Sequence, residues 1–187
     1  MKVIIDSIMQ VPKWILIIII LFYSLLLAEY IDVLNKFVYV EDSLMGVFNL
    51  STKLSYIFTI VSGIVTWLIY ALMFHIMALL FGGKAEFKDS ILPLAFPYII
   101  PSIMLLIGLF LLTDIQIPST PDSITILKNH PVYETSMTLI NCSSVLCYLI
   151  SLMIIHYLYK IKWFYSILSV VLPFLAILGI TEIVRIA

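Results

Sequence analysis

The feature that most constrains this chain is the length of its uncharged apolar stretches. Residues 54–83, for example, contain no Asp, Glu, Lys or Arg. A helix needs about 20 apolar residues to cross a hydrocarbon core about 30 Å thick, whereas a helix on the surface of a soluble domain keeps one polar face. The sequence therefore predicts an integral membrane protein.

The composition supports this class and excludes others. Hydrophobic residues make up 63% of the chain and charged residues 11%, against about 45–50% and about 25% in soluble domains. These figures, with a net charge of −1, exclude a disordered chain, a disulfide-stabilised secreted domain and a nucleic-acid-binding domain with a basic surface.

Five apolar segments are long enough to span a bilayer. The prediction is an all-α integral membrane protein, a five-span transmembrane helical bundle that forms a single transmembrane domain over residues 1–187. The spans are predicted at about residues 14–34, 54–81, 91–112, 136–159 and 163–184, with outer loops at about residues 35–53 and 113–135.

The two outer loops differ in character. The loop at residues 113–135 contains three prolines, so we expect turns and little helix. Residues 29–53 are partly amphipathic, and the sequence leaves open whether they form a helix on the membrane surface or extend the first span.

Prolines mark the start of the third span. Pro93, Pro97 and Pro101 are four residues apart, and each lacks a backbone N–H and crowds the carbonyl one turn back. We predict one proline-kinked helix. The alternative is a broken helix, with a short interfacial helix at about residues 87–95 and a short span at about residues 101–113.

The distribution of basic residues predicts the orientation. With a cytoplasmic N-terminus, the basic residues on the inner side are Lys2, Lys13, Lys84, Lys88, Lys160 and Lys162. Those on the outer side are Lys36, Lys53, Lys128 and Arg185. Because inner flanks are enriched in Lys and Arg, we predict a multi-pass protein of the cell membrane with its N-terminus in the cytoplasm and its C-terminus outside.

The spans carry little that suggests chemistry. No charged residue lies near the middle of a span, which argues against a proton-coupled carrier. The chain has no HExxH pair, no nucleophile elbow and no P-loop, so we expect no enzymatic activity and no cofactor. His75 and His156 could suggest a metal site, but no third strong ligand is evident. We expect histidines bonded to backbone or tyrosine hydroxyls instead.

Two spans carry small residues at four-residue spacing. Ser55, Thr59 and Gly63 lie on the second span, and the set on the fourth span is Ser143, Cys147 and Ser151. Such stripes let helix backbones approach closely, and these two spans run in the same direction, so they can be parallel neighbours. We predict that both stripes face protein; a polar solute path is the alternative. Both cysteines, Cys142 and Cys147, are expected to be buried.

The loop between the second and third spans carries a family pattern. It reads Gly82-Gly83-Lys84-Ala85-Glu86-Phe87-Lys88-Asp89, and the prolines described above follow it. This pattern resembles the Yip family, membrane proteins named for interacting with Ypt/Rab GTPases, and in particular its short bacterial-type members. The resemblance implies five spans, a cytoplasmic N-terminus and early prolines in the third span.

The resemblance also bears on function. Eukaryotic members have a long cytoplasmic N-terminal region, whereas only about 13 residues precede the first span here, so a role with Rab GTPases is not implied. The bacterial branch implies help in assembling ABC-type export systems or resistance to membrane-active peptides. The first hypothesis is therefore a non-enzymatic scaffold or accessory subunit for other membrane proteins, an ABC-type exporter among them, with a homo-oligomer left open. The second is a transporter or channel component for a small neutral or lipidic solute.

The Gly82–Asp89 loop is predicted to be the principal cytoplasmic docking element. Gly82 and Gly83 would end the second helix, since glycine adopts the left-handed C-cap conformation at little cost. Lys84 and Lys88 would face the anionic inner leaflet, and Phe87 would anchor the turn in the interface. The alternative is a plain reverse turn whose lysines only set the topology.

Overall fold

In the computed structural model, which describes residues 2–118 and 120–186, the protein is helical, and no strand occurs in those residues. This confirms the all-α prediction. The α-helices of these residues are α1 (Lys2–Met9), α2 (Lys13–Asn35), α3 (Met45–Leu80), α4 (Phe87–Ser90), α5 (Ile99–Thr113), α6 (Ser123–Lys128), α7 (Pro131–Tyr159) and α8 (Trp163–Ile186).

Four helical segments of the described chain are long and apolar enough to cross a membrane. They are Lys13–Asn35, Asp42–Leu80, Phe87–Thr113 and Pro131–Tyr159, and a shorter apolar helix covers Trp163–Ile177. Their outward faces carry large apolar side chains, such as Phe58 and Phe110, which are 69% and 76% exposed. Soluble monomers rarely expose so much apolar surface, so these helices are compatible with a membrane location.

The helix of the second predicted span begins earlier than expected. α3 starts at Met45, so the predicted outer loop at residues 35–53 was too long. The low hydropathy of residues 49–53 does not end the helix, because polar side chains are well solvated on a helix in water. At about 1.5 Å per residue, a helix of this length extends well beyond a hydrocarbon core about 30 Å thick.

Residues 29–53 divide between the end of α2, a short connection and the start of α3. α2 ends at Asn35, residues 36–41 are not helical, and a 3₁₀ turn at Asp42–Leu44 leads into α3. Residues 29–35 therefore continue the helix of the first predicted span, as one alternative expected, and residues 36–41 form no separate helix.

The second predicted loop, at residues 113–135, contains more helix than its prolines indicated. α6 is short and begins where the buried Ser123 hydroxyl accepts the Thr120 N–H at 2.8 Å. α7 then begins at Pro131, a position where a missing N–H costs nothing, and His130 Nδ1 accepts the Val132 N–H at 3.3 Å. This cap moves the start of the helix ahead of the predicted residue 136.

The third predicted span, at residues 91–112, is not one continuous α-helix. α4 ends at Ser90, a 3₁₀ helix covers Pro93–Tyr98, and α5 begins at Ile99. Pro97 cannot donate a hydrogen bond, and the tighter 3₁₀ winding accommodates it. Pro101 lies in the first turn of α5, where its missing N–H removes no intrahelical bond. The structure therefore does not confirm a single kinked helix. α5 agrees with the short span at about residues 101–113 of the broken-helix alternative, whereas α4 covers only Phe87–Ser90 of the helix expected at about residues 87–95.

The described chain divides into two compact units. The first unit comprises residues 2–18, 66–97 and 147–186. Its core joins α3, the 3₁₀ segment, α7 and α8, through Ala71, Phe74, Ala78, Leu94, Ile154, Ile155, Tyr159, Ile161 and Val170. In this unit α3 and α7 are neighbours that run in the same direction, since Tyr70 contacts Tyr148 and, further along both helices, His75 contacts Tyr159.

The second unit comprises Ile19–Val65 and Tyr98–Leu146. Its core joins α2, α5 and α6, through Leu26, Tyr30, Leu105, Leu112, Ile115 and Leu127. The Tyr30 and Ser136 hydroxyls are 2.9 Å apart, so α7 is tied to α2 in this unit. A Cβ at Gly108 would lie 2.6 Å from Ser136 Oγ and 3.1 Å from a Tyr30 ring carbon, so α5 approaches this pair closely.

Candidate functional site

The Gly82–Asp89 loop begins at a well-formed helix C-cap. Gly82 has a φ of 84°, which is the left-handed conformation that favours glycine. Its N–H bonds to the Leu79 carbonyl, and the Gly83 N–H bonds to the Ala78 carbonyl, both at 2.9 Å. These two bonds form a Schellman motif, which satisfies carbonyls at the end of α3 and reverses the chain.

Gly83 lies directly against Tyr159, the last residue of α7. A Cβ at Gly83 would be 2.7 Å from Tyr159 Cδ1 and 2.9 Å from Tyr159 Cβ. It would also be 2.7 Å from the Ala78 carbonyl oxygen. Only a residue without a Cβ fits here, so the second glycine of the pair serves close packing, whereas the first serves backbone conformation.

A chain of hydrogen bonds links Tyr159 to both sides of the loop. The Tyr159 hydroxyl lies 2.6 Å from His75 Nδ1 and donates to Ser90 Oγ at 2.8 Å. Ser90 in turn donates to the Phe87 carbonyl at 3.0 Å. We call His75, Gly83, Ser90 and Tyr159 the Tyr159 cluster.

The order of donors in the Tyr159 cluster assigns the tautomer of the imidazole. Because the Tyr159 proton is given to Ser90, the Tyr159 oxygen is left as an acceptor for an N–H at His75 Nδ1. Ser90 is fully buried and its own proton is given to a carbonyl. The cluster therefore holds the loop in place, and its serine is not arranged as a nucleophile.

The charged residues of the loop are exposed above this cluster. Lys84 is exposed, and Lys88 pairs with Glu86 at 2.8 Å with both side chains about two-thirds exposed or more. An exposed pair of this kind contributes little to stability. Phe87 instead turns inward: it packs against the core of the first unit, with its ring centroid 5.2 Å from that of His75.

The three prolines of the sequence pattern are all buried. Pro93 and Pro97 lie in the 3₁₀ segment of the first unit, and Pro101 lies in the first turn of α5 in the second unit. Each therefore contributes to packing as well as to backbone shape.

The small-residue stripes are buried to different extents. Gly63, Ser143, Cys147 and Ser151 are buried, whereas Ser55 and Thr59 are half-buried. The nearest atoms to a Cβ at Gly63 belong to Ser24 of α2, with Ser24 Oγ at 2.7 Å. The Gly63 contact is thus made with α2, and pairing of the two stripes with each other stays a prediction.

The second histidine and the cysteines have separate surroundings. His156 stacks on Trp163, with ring centroids 4.0 Å apart and planes 19° apart. In the described residues no group of three His, Cys, Asp or Glu side chains is placed to hold a metal ion.

Cys147 is buried as expected, but Cys142 is exposed, because it lies on the outward face of α7.

Sequence reasoning missed Tyr159 and Ser90. Tyr159 is the last residue of the fourth predicted span, Ser90 lies just before the third predicted span, and neither belongs to a motif. Tyr159 is 84 residues from His75, and no sequence spacing links the two. The one signal that could have indicated a covering side chain is the second glycine, since a C-cap alone requires only Gly82.

Comparison with known proteins adds no assignment to this geometry. No family model, no curated protein and no solved structure matches this chain.

Proposed function

We propose that the protein is a non-enzymatic multi-pass membrane protein that acts as a scaffold or accessory subunit for other membrane proteins, and that it docks through the Gly82–Asp89 loop. The observation that carries this proposal is the Tyr159 cluster, which fixes the loop backbone and leaves Lys84 and the Lys88–Glu86 pair exposed. A loop that is already ordered loses little entropy on binding, so it suits recognition.

The finer membrane arrangement belongs to the same proposal. Five spans, with α8 as the fifth and a bent third span, would give a cytoplasmic N-terminus and an outside C-terminus, with the Gly82–Asp89 loop on the inner side. The resemblance to short bacterial-type Yip proteins supports this arrangement and supports other integral membrane proteins, including ABC-type exporters, as partners.

Removal of the two positive charges of the loop tests the docking proposal. We expect Lys84→Gln with Lys88→Gln to insert and accumulate normally, because both side chains are exposed, but to lose partners that co-purify with the unaltered protein in mild detergent. The matched control is Lys53→Gln with Lys128→Gln, which removes the same charge from exposed positions of the second unit.

Quantitative mass spectrometry of the purified complexes is the readout. If both double variants retain the same partners as the unaltered chain, the loop is a plain turn and the docking proposal is wrong. Phe87 is left unchanged, because it packs in the core and its replacement would disturb the fold.

Cysteine labelling tests the orientation. Lys84→Cys and Lys128→Cys are introduced separately after Cys142→Ser and Cys147→Ser remove the natural thiols. In intact cells an impermeant maleimide should label Lys128→Cys and should reach Lys84→Cys only after permeabilisation. The reverse pattern would contradict the proposed orientation.

A further inference from the structure

An open apolar cup lies on the surface of the second unit, where the 36–41 connection meets the start of α3. It encloses about 640 Å³, and its walls include Tyr39, Leu44, Val47 and Phe48. This volume falls in the range of about 300–1,000 Å³ that is typical of small-molecule sites. Leu44 and Val47 are 55% and 70% exposed, so the cup holds apolar side chains that nothing in the described chain covers.

One carboxylate, that of Glu41, lines this cup. Glu41 occupies the N-cap position of the 3₁₀ turn, yet its side chain makes no cap hydrogen bond. Across residues 2–118 and 120–186 no ion pair to Glu41 is found, and no basic residue lines the cup. The cup therefore presents an uncompensated carboxylate beside apolar and aromatic walls.

The surroundings reinforce the negative charge. A second cavity of about 380 Å³ adjoins the cup and shares Val40 and Phe48 with it. Its lysine, Lys36, lies 3.7 Å from Asp32 and is thereby engaged by another carboxylate. Over the whole second unit, seven acidic residues face three basic ones, a net charge of −4.

We propose that this cup binds a free lipophilic organic cation, with the apolar body against Leu44, Val47 and Phe48 and the positive charge beside Glu41. The carboxylate disfavours an anion and offers an anionic partner to a cation. Tyr39 and Phe48 line the cup, and aromatic rings attract a cation more than a neutral solute. This site is independent of the docking loop, which belongs to the first unit.

Tetraphenylphosphonium and tetraphenylborate test the proposal, because they have nearly the same shape and opposite charge. Binding is measured by equilibrium dialysis on the full chain in nanodiscs of phosphatidylcholine, with empty nanodiscs subtracted. We expect saturable, near-stoichiometric binding of the phosphonium and no saturable binding of the borate. Equal binding of the two ions, or no binding above the empty discs, would overturn the proposal.

Variants locate the site. Glu41→Gln should weaken phosphonium binding about three- to fivefold, the effect of losing one exposed ion pair. Val47→Lys should weaken it at least about tenfold, because a like charge enters the cup. The controls are Asp42→Asn and Leu50→Lys, which make the same kinds of change at neighbouring exposed residues that do not line the cup.

Each control should bind within about twofold of the unaltered chain, since its change lies outside the cup. If Asp42→Asn weakens binding as much as Glu41→Gln does, the effect is general surface charge and the site is wrong. Replacing part of the phosphatidylcholine with phosphatidylethanolamine should leave phosphonium binding unchanged. Displacement by that lipid would show that the cup holds a lipid headgroup and would overturn the assignment to a free solute.

Discussion

Gly83→Ala should destabilise the protein because there is no room for one methyl group. The added Cβ would lie 2.7 Å from both the Ala78 carbonyl oxygen and Tyr159 Cδ1, distances that real Cβ atoms essentially never show. The obstacles are a helix backbone and a ring that is 1% exposed, so neither can yield easily. Overpacking of this kind costs about 1–3 kcal/mol, which we expect as the loss in free energy of unfolding.

Two other glycines serve as matched controls for the same substitution. Gly82→Ala meets no atom within 4 Å, but its φ of 84° is strained for alanine and should cost about 1–2 kcal/mol. Gly46 lies in the first turn of α3 and does not have a positive φ, and a Cβ there would have no atom within 4 Å. Gly46→Ala should therefore cause no measurable loss in the free energy of unfolding. The measurement is reversible unfolding in mixed detergent and dodecyl sulfate micelles, followed by tryptophan fluorescence.

A double-mutant cycle separates the two mechanisms. Tyr159→Ala removes the ring, so it should reduce the cost of Gly83→Ala by more than about 0.5 kcal/mol, whereas the cost of Gly82→Ala should change by less than that. The cost at Gly83 should not vanish, because the Ala78 oxygen and the Cβ at position 159 remain. If Gly83→Ala is as stable as Gly46→Ala, or shows no coupling to Tyr159→Ala, the packing argument fails.

Two further substitutions test other contacts. Tyr159→Phe keeps the ring against the loop but removes the hydroxyl that joins His75 to Ser90; it should cost about 1–3 kcal/mol in the same unfolding assay, and an unchanged midpoint would contradict the hydrogen-bond chain. Gly63→Leu must displace Ser24 of α2, whose Oγ lies 2.7 Å from the position of an added Cβ, so its thermal midpoint in detergent should fall clearly, and an unaltered melting curve would contradict this helix contact.

The sequence was sufficient to predict the helical class, because hydropathy over about 20 residues is a direct measure of what a bilayer accepts. It was less able to place the ends of helices. α3 begins at Met45 because a helix continues until a breaker or a cap stops it, and residues 45–53 contain no proline. Hydropathy locates the membrane boundary, whereas capping locates the helix boundary.

The candidate site shows the same limit at the level of side chains. The left-handed conformation of Gly82 follows from local rules, since a Gly-Gly pair after an apolar helix favours a C-cap. The contact of Gly83 with Tyr159 does not follow from local rules, because it forms only through the packing of α3 on α7 in the first unit. Phe87 was predicted to anchor the turn in the membrane interface, whereas in the structure it packs against the core of the first unit, with its ring beside that of His75.

The two units differ in charge, and this difference bears on which partners the proposed docking loop and the proposed cation site would accept. The first unit has seven basic and four acidic residues in its sequence, a net charge of +3 that favours acidic or phosphate-bearing partners, although the loop itself carries two lysines and two acidic residues. The second unit has the opposite balance, and Glu41 favours a cation. A positive surface attracts acidic partners and repels cations, and a negative surface does the opposite. A partner of the loop should therefore compete poorly with a cation for the cup. If the two surfaces act separately, a variant of the cup should lose phosphonium binding and keep its partners. A variant of the loop should lose its partners and keep phosphonium binding.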